Sequence, residues 1–253
     1  MKLKMMSFNV RCCNDPDGHS VAERAPRCLE IIRDYDPDLF GLQEASYRWE
    51  PYLEPLKEQY GVIWMYRHDV SREATPIYWK KDAFELVEEE HFWLSETPAQ
   101  MSKGWGADYY RICSHAALRH KESGKLIQYY NTHFDWVGCG PRESAQLIIR
   151  KAEKLGNVPV FCTADYNFHP GTSGWHSMRS WFADVREELG APAMSTCHGY
   201  KNIEPGSGQP IDYCFYHGDG VTPTKYEVVT RTFDNKFPSD HYPVYFEFEV
   251  NEQ

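Results

Sequence analysis

Asp38-Leu39-Phe40-Gly41-Leu42-Gln43-Glu44 is an apolar run of strand length that stops on an acid. A run this short, bounded by Pro37 and closed by a charged side chain, reads as a buried strand whose end reaches solvent. The same design recurs. Met5-Met6-Ser7-Phe8 ends on Asn9, the run 126–132 ends on His133 and Asp135, and the run 158–164 ends on Asp165 and Asn167. Asp212 opens its apolar run, and Asp240-His241 immediately precedes the last one. Strand ends gathered on one rim unite residues far apart in sequence, so this placement predicts a single cleft.

Working outward, strands are expected at 2–10, 62–66, 76–80, 112–119, 126–131, 158–163, 212–216, 227–231 and 242–250. Ser20 and Glu23 have the spacing of a capping box, and Cys28, Leu29, Ile31 and Ile32 supply a helical stripe before Pro37. Residues 142–155 and 173–182 also read as helices, and Asn14-Asp15-Pro16-Asp17-Gly18 as a turn. Many strands with few helices imply two sheets packed face to face and covered by helices. With 42% hydrophobic and 15% aromatic residues, no internal repeat and no linker-like tract, the chain is expected to form one domain over residues 1–253.

The charge, 27 − 37 = −10, repels polyanions except where bound cations or local basic groups reverse the field. That argues against a tight non-specific DNA binder without excluding a nuclease. The few apolar residues before Asn9 are too short for a signal-peptide core, and no run approaches a membrane span. Eight cysteines without a C-x-x-C spacing are expected as free thiols, which fits a cytoplasmic protein. A monomer is the expectation.

Carboxylate and amide oxygens suit a hard cation, Mg²⁺ or alternatively Mn²⁺, whereas no thiolate cluster or H-E-x-x-H motif points to zinc. Taken singly, each residue has an ordinary structural reading. Asn9 would cap a turn, Glu44 would cap a helix from Ala45, and a lone His133 would be a satisfied buried histidine. The ordered set is harder to explain that way.

Six stretches carry a resemblance: Ser7-Phe8-Asn9-Val10-Arg11, Gly41-Leu42-Gln43-Glu44, Asn131-Thr132-His133-Phe134-Asp135, Asp165-Tyr166-Asn167, Ile211-Asp212-Tyr213 and Ser239-Asp240-His241-Tyr242-Pro243. In this order and approximate spacing, the chain resembles the endonuclease/exonuclease/phosphatase superfamily, the deoxyribonuclease I-like phosphoesterases, over essentially its whole length. Phe92-Trp93-Leu94-Ser95-Glu96-Thr97-Pro98 and Lys103-Gly104-Trp105 are similar to a bacterial branch without an assigned substrate, related to deadenylase-like members. The resemblance implies an α+β, four-layer α/β-sandwich with two mostly antiparallel β-sheets flanked by helices.

It also implies roles. Glu44 would be the principal metal carboxylate, with Asn9 and Asp240 close to the ion or its waters. Asp165 would orient or deprotonate the attacking water, and Asn167 would donate to the phosphate. His241, polarised by Asp212, and His133 would flank the phosphorus. Glu73, before a strand, matches the family glutamate that orients the first histidine, against the plainer reading of a solvated loop acid. Arg111 would approach the phosphate or brace Glu44, or else form a structural ion pair.

Three positions depart from the pattern. Ala164 stands where the family usually has glycine, Trp136 follows His133-Phe134-Asp135 and is expected to shape the cleft, and Arg11 replaces the acid of abasic-site endonucleases. The expected function is divalent-metal-dependent hydrolysis of a phosphoester, a phosphodiester of nuclease type first. The alternatives are a phosphatase or phosphodiesterase on phosphoinositide, phospholipid or a small phosphorylated metabolite, and a non-catalytic phosphate- or metal-binding module. Nucleic acid remains a candidate partner although no basic stripe interleaved with aromatics is evident. Trp105, Trp136 and Trp175 are candidates to stack on a base or sugar.

Overall fold

A computed structural model describes residues 1–204 and 206–251. In chain order its strands are β1 (Lys2–Asn9), β2 (Leu39–Gln43), β3 (Ala45–Ser46), β4 (Tyr60–Ile63), β5 (Glu73–Ala74), β6 (Ile77–Lys80), β7 (Phe84–Trp93), β8 (Ile112–His120), β9 (Leu126–His133), β10 (Val160–Asp165), β11 (Ala183–Asp184), β12 (Asp212–His217), β13 (Val221–Val228) and β14 (Val244–Val250). The helices are α1 (Val21–Tyr35), α2 (Glu50–Leu53), α3 (Gly140–Ala152), α4 (Ser173–Arg179) and α5 (Val185–Glu188). One sheet has the order β13-β14-β1-β2-β6-β4, the other β11-β12-β10-β9-β8-β7, and β3 with β5 forms a short ribbon. Pairing is antiparallel except for β1 with β2 and β9 with β10, so the α+β sandwich is mostly antiparallel, as the motifs implied.

Apolar side chains such as Met5, Leu39, Tyr129, Phe161 and Phe246 fill the space between the sheets. Outside the first sheet, α1 sets Cys28, Ile31 and Ile32 against Phe8 and Phe40. Outside the second, α3 sets Ala145 and Ile148 against Tyr130, Cys162 and Phe215. Each large aliphatic side chain buried this way contributes roughly 1.5–3 kcal/mol, so these stripes fix where the helices lie. The Ser20–Glu23 capping box forms as expected and starts α1.

A polar bridge crosses between the sheets. Asn131 Nδ2 donates to Leu42 O at 2.8 Å and Pro76 O at 3.0 Å, while Asn131 Oδ1 accepts from Gln43 Nε2 at 2.7 Å. Gly41 allows this approach, since a Cβ there would stand 2.3 Å from Asn131 Cγ. The bridge locks the Gly41-Leu42-Gln43-Glu44 end of β2 against the second sheet.

Some expected elements are displaced. The strand expected at 227–231 runs as Val221–Val228 in pairing with β14, and the helix expected over 173–182 stops at Arg179. The strand expected at 62–66 is Tyr60–Ile63. β7 was not expected at all. Its Glu85, Glu88, Glu89 and Glu90 obscure the strand pattern, but it is an edge strand, where outward charge is tolerated and discourages pairing with another chain. The eight cysteines are free, and among the described residues no helix is long and apolar enough to cross a membrane.

Candidate active site

Strand register aligns the second sheet's contribution. Asp165 pairs across β10 with His133 on β9 and with Asp212 on β12, so three strand ends hold one row. In the first sheet, Asn9 pairs with Gln43, which places Glu44 one residue beyond that row. The backbone then turns sharply: Arg11, Glu44 and Asn167 have φ of 62°, 57° and 52°. Left-handed backbone at three non-glycine positions is strain that surrounding bonds must hold. At Arg11 the carbonyl accepts from buried Arg24 at 2.7 Å and from Trp49 Nε1 at 2.8 Å. At Asn167 the backbone N–H donates to Asp165 Oδ1 at 3.0 Å.

These ends line a cleft of about 370 Å³ containing Glu44, Glu73, Arg111, His133, Trp136, Asp165, Asn167, Asp240 and His241. Asp165 Oδ2 is its hub. Asn9 Nδ2 donates to it at 2.9 Å, His133 Nε2 lies 3.4 Å away, and His241 Nε2 lies 3.8 Å away. Burial together with the Asp212 charge pushes the Asp165 carboxyl up to about 7. A carboxyl tuned that far can exchange a proton near neutrality.

The surroundings of the two histidines push their pKa values in opposite directions. Burial disfavours a charged imidazole at His241, but Asp212 and Asp165 outweigh it and raise its pKa well above the ordinary value. His241 Nδ1 meets Asp212 Oδ2 at 2.9 Å, which fixes the ring. His133 is instead held neutral by burial and by the cations of Arg111 and Arg67.

Glu44 and Asp240 stand at the other end. Burial opposes the Glu44 anion, but bonds from the Cys12 N–H at 2.9 Å and Asn9 Nδ2 at 3.2 Å, with the His241 charge, lower its pKa. Burial and the Glu44 charge raise that of Asp240. Two repelling carboxylates in one cleft suit a hard divalent cation. Arg11 partly occupies this end, with Nη1 4.0 Å from Glu44 and Nε 3.7 Å from Asp240, while Asp15 holds its guanidinium at 3.0 Å. Cys12, Glu44 and Glu73 also offer ligand atoms within 4.8 Å of one another.

Several expectations change in detail. The Glu73–His133 pair does not form, because Glu73 Oε1 takes Arg67 Nη2 at 2.7 Å. Glu44 caps no helix, since β3 follows it. Asn9 turns its amide N–H groups, not a free oxygen, toward Glu44 and Asp165, and its oxygen accepts the Arg11 N–H at 3.0 Å. Asn167 commits one amide hydrogen to Phe134 O at 2.9 Å. Arg111 approaches Asp135 only to 3.8 Å and is not part of a tight ion pair. Trp136 stands at the cleft mouth, 53% exposed, whereas Trp105 and Trp175 pack against the core. Arg67, Cys12 and Tyr109 line the cleft without having been singled out from the sequence. Arg67 lies in a loop with no neighbouring signal, but Tyr109 was findable through its nearness to Arg111.

The endonuclease/exonuclease/phosphatase family model matches residues 6–241. A family protein of Bacteroides vulgatus is 27% identical with a TM-score of 0.91, over 99% of this chain and 100% of that one. A mannosyl-6-phosphatase of Bacteroides thetaiotaomicron is 29% identical with a TM-score of 0.85, over 97% and 99% of the two chains. The 3'-5'-exoribonuclease subunit Ccr4 of Kluyveromyces lactis is 22% identical over 90% of this chain, which spans only 37% of the length of that protein. With the family pattern running from β1 to the Asp240-His241 pair, the chain belongs to the endonuclease/exonuclease/phosphatase family.

Proposed function

We propose that this cleft hydrolyses a phosphoester by direct attack of water on phosphorus. The observation that carries the reading is the convergence on Asp165 Oδ2 of two imidazole Nε2 atoms, at 3.4 Å and 3.8 Å, whose surroundings shift their pKa values in opposite directions. Asp165, with its pKa near neutrality, takes the proton of the attacking water. Asn9 orients that carboxylate, and the remaining amide hydrogen of Asn167 is available to a phosphate oxygen. The cationic His241 opposes charge that grows on the phosphate oxygens, and Asp212 keeps it protonated. Neutral His133 adds an uncharged hydrogen bond on the Arg111 side.

Glu44 and Asp240, with Asn9 bracing Glu44, are the residues that would hold a divalent cation, Mg²⁺ first and Mn²⁺ second. When bound, such an ion supplies Lewis-acid charge to the phosphate.

A nuclease-type phosphodiester is the first substrate reading from the motifs. A phosphomonoester is the second, favoured by the 29% identical mannosyl-6-phosphatase. Bis-p-nitrophenyl phosphate and p-nitrophenyl phosphate test the shared chemistry. Asp165→Ala and His241→Ala should each lower kcat about a thousandfold or more on whichever ester is cleaved, and chelation should abolish turnover. Turnover that persists in both variants overturns the mechanism, and a wild-type protein inert with added Mg²⁺ or Mn²⁺ favours a binding module.

A further inference from the structure

A cavity of about 260 Å³ lies on the outer face of the first sheet and shares no lining residue with the His241 cleft. Val62, Trp64 and Tyr66 alternate along the chain, so their side chains fall on one face of the edge strand β4 and its continuation. Tyr78, opposite Val62 in the pairing of β4 with β6, completes the floor. Glu50, Leu53, Glu54 and Lys57 recur at the spacing of one helical face, and α2 with the tight turn Glu54–Glu58 sets that face over the strands.

The walls have the chemistry of a cation site. The Trp64 and Tyr66 rings stand at 89° to each other with centroids 6.1 Å apart, which makes an aromatic corner. The Tyr66 hydroxyl donates to Glu50 Oε1, and a carboxylate bonded there makes the ring richer in electrons. Two carboxylates, Glu50 and Glu54, face one ammonium group, Lys57, which meets Glu54 at 2.7 Å, so a negative charge is left over. Arg72 reaches the Tyr66 ring only at 5.9 Å, leans on Tyr47 at 4.1 Å, and does not line the cavity.

Polar groups at the floor lack partners. Tyr78 is 1% exposed and stacks on Phe40 at 4.6 Å, and its hydroxyl makes no hydrogen bond among the described residues. Burial and the charges of Glu54 and Glu50 raise its pKa, so the field of both carboxylates reaches this hydroxyl. Trp64 Nε1 is also buried without a hydrogen-bond partner among the described residues. A buried donor left unpaired is costly, so a ligand oxygen that completes it gains affinity.

We propose that this cavity binds a small methylated ammonium cation that also carries an oxygen acceptor, its methyl groups against Trp64 and Tyr66, its charge balanced by Glu50, and its oxygen on the unpaired Tyr78 and Trp64 donors. A bare ammonium group would surrender strong hydration in a cavity walled by Leu53 and Val62. Methyl groups spread the charge and match those apolar walls, and the aromatic faces attract what remains. This site stands apart from the hydrolytic reading, since none of its residues enters the cleft.

Calorimetry with choline tests the site, and neohexyl alcohol, which has carbon in place of the nitrogen, supplies an uncharged molecule of the same shape. The wild-type protein should bind choline with a Kd of about 1 mM or below and the alcohol at least about tenfold more weakly. Trp64→Leu should weaken choline at least about tenfold, and Trp64→Phe should lose less. Tyr78→Phe, which keeps the ring, should weaken it about threefold. Glu50→Gln, a change at an exposed position, should weaken choline about threefold and leave the alcohol unaffected. Absence of saturable choline binding up to about 20 mM, equal affinity for the two molecules, or choline affinity unchanged in both Glu50→Gln and Trp64→Phe overturns the cation site.

Discussion

His241 Nδ1 and Asp212 Oδ2 lie 2.9 Å apart in a buried pair, and the other Asp212 oxygen, Oδ1, is buried without a hydrogen-bond partner among the described residues. The Asp212 side chain therefore commits its hydrogen bonding among the described residues to a single imidazole, while its charge also raises the Asp165 carboxyl. That pairing overcomes burial and keeps His241 cationic above the pH at which a histidine ordinarily loses its proton.

Asp212→Asn keeps the shape of this pair and removes its charge. On a p-nitrophenyl ester, kcat should fall about a hundredfold or more. The alkaline limb of the rate profile should also move to lower pH, since His241 would then lose its proton sooner. An alkaline limb unmoved by the substitution would show that Asp212 does not set the charge of His241.

Gly41→Ala tests the bridge between the sheets. The added Cβ would meet Asn131 Cγ at 2.3 Å, and this side chain is tied down by bonds to Leu42, Gln43 and Pro76. Crowding of a packed interior costs about 1–3 kcal/mol, which should lower the midpoint of thermal unfolding by several degrees. An unchanged midpoint would remove Asn131 as the reason for glycine here.

His115 sets part of the acid sensitivity. It is 3% exposed and stacked on Tyr130 at 4.3 Å, its Nε2 has no partner among the described residues, and burial lowers its pKa to about 4. The folded state therefore holds the ring neutral while the unfolded chain takes up a proton below about pH 6.5. Its stabilising contribution is full above that pH and is lost as pH falls toward 4. By about pH 5 the loss should be about 2 kcal/mol. Urea unfolding at about pH 7 and about pH 5 should show a smaller acid loss in His115→Phe than in the wild type. Equal losses would assign the acid sensitivity to other groups.

The sequence by itself determined the alternation of apolar runs with terminal acids, amides and histidines, and through it the two-sheet fold. That information is local, because a strand's periodicity and its last residue are both read within a few positions, as in Gly41-Leu42-Gln43-Glu44. The capping box at Ser20 and Glu23 was legible for the same reason.

Tertiary structure alone decided which groups face one another. His133 meets Asp165 because β9 and β10 share a parallel register, and Glu73 meets Arg67 and not His133 because a loop of no distinctive sequence folds between them. The charge states of the two histidines follow from burial and neighbouring ions, which exist only once distant segments have packed. Arg111 shows the division most clearly. Its position beside an apolar strand was visible in the chain, but that its Nε and Nη1 lie without a hydrogen-bond partner among the described residues, with the distant Trp136 ring beside the guanidinium, follows only from the packed structure.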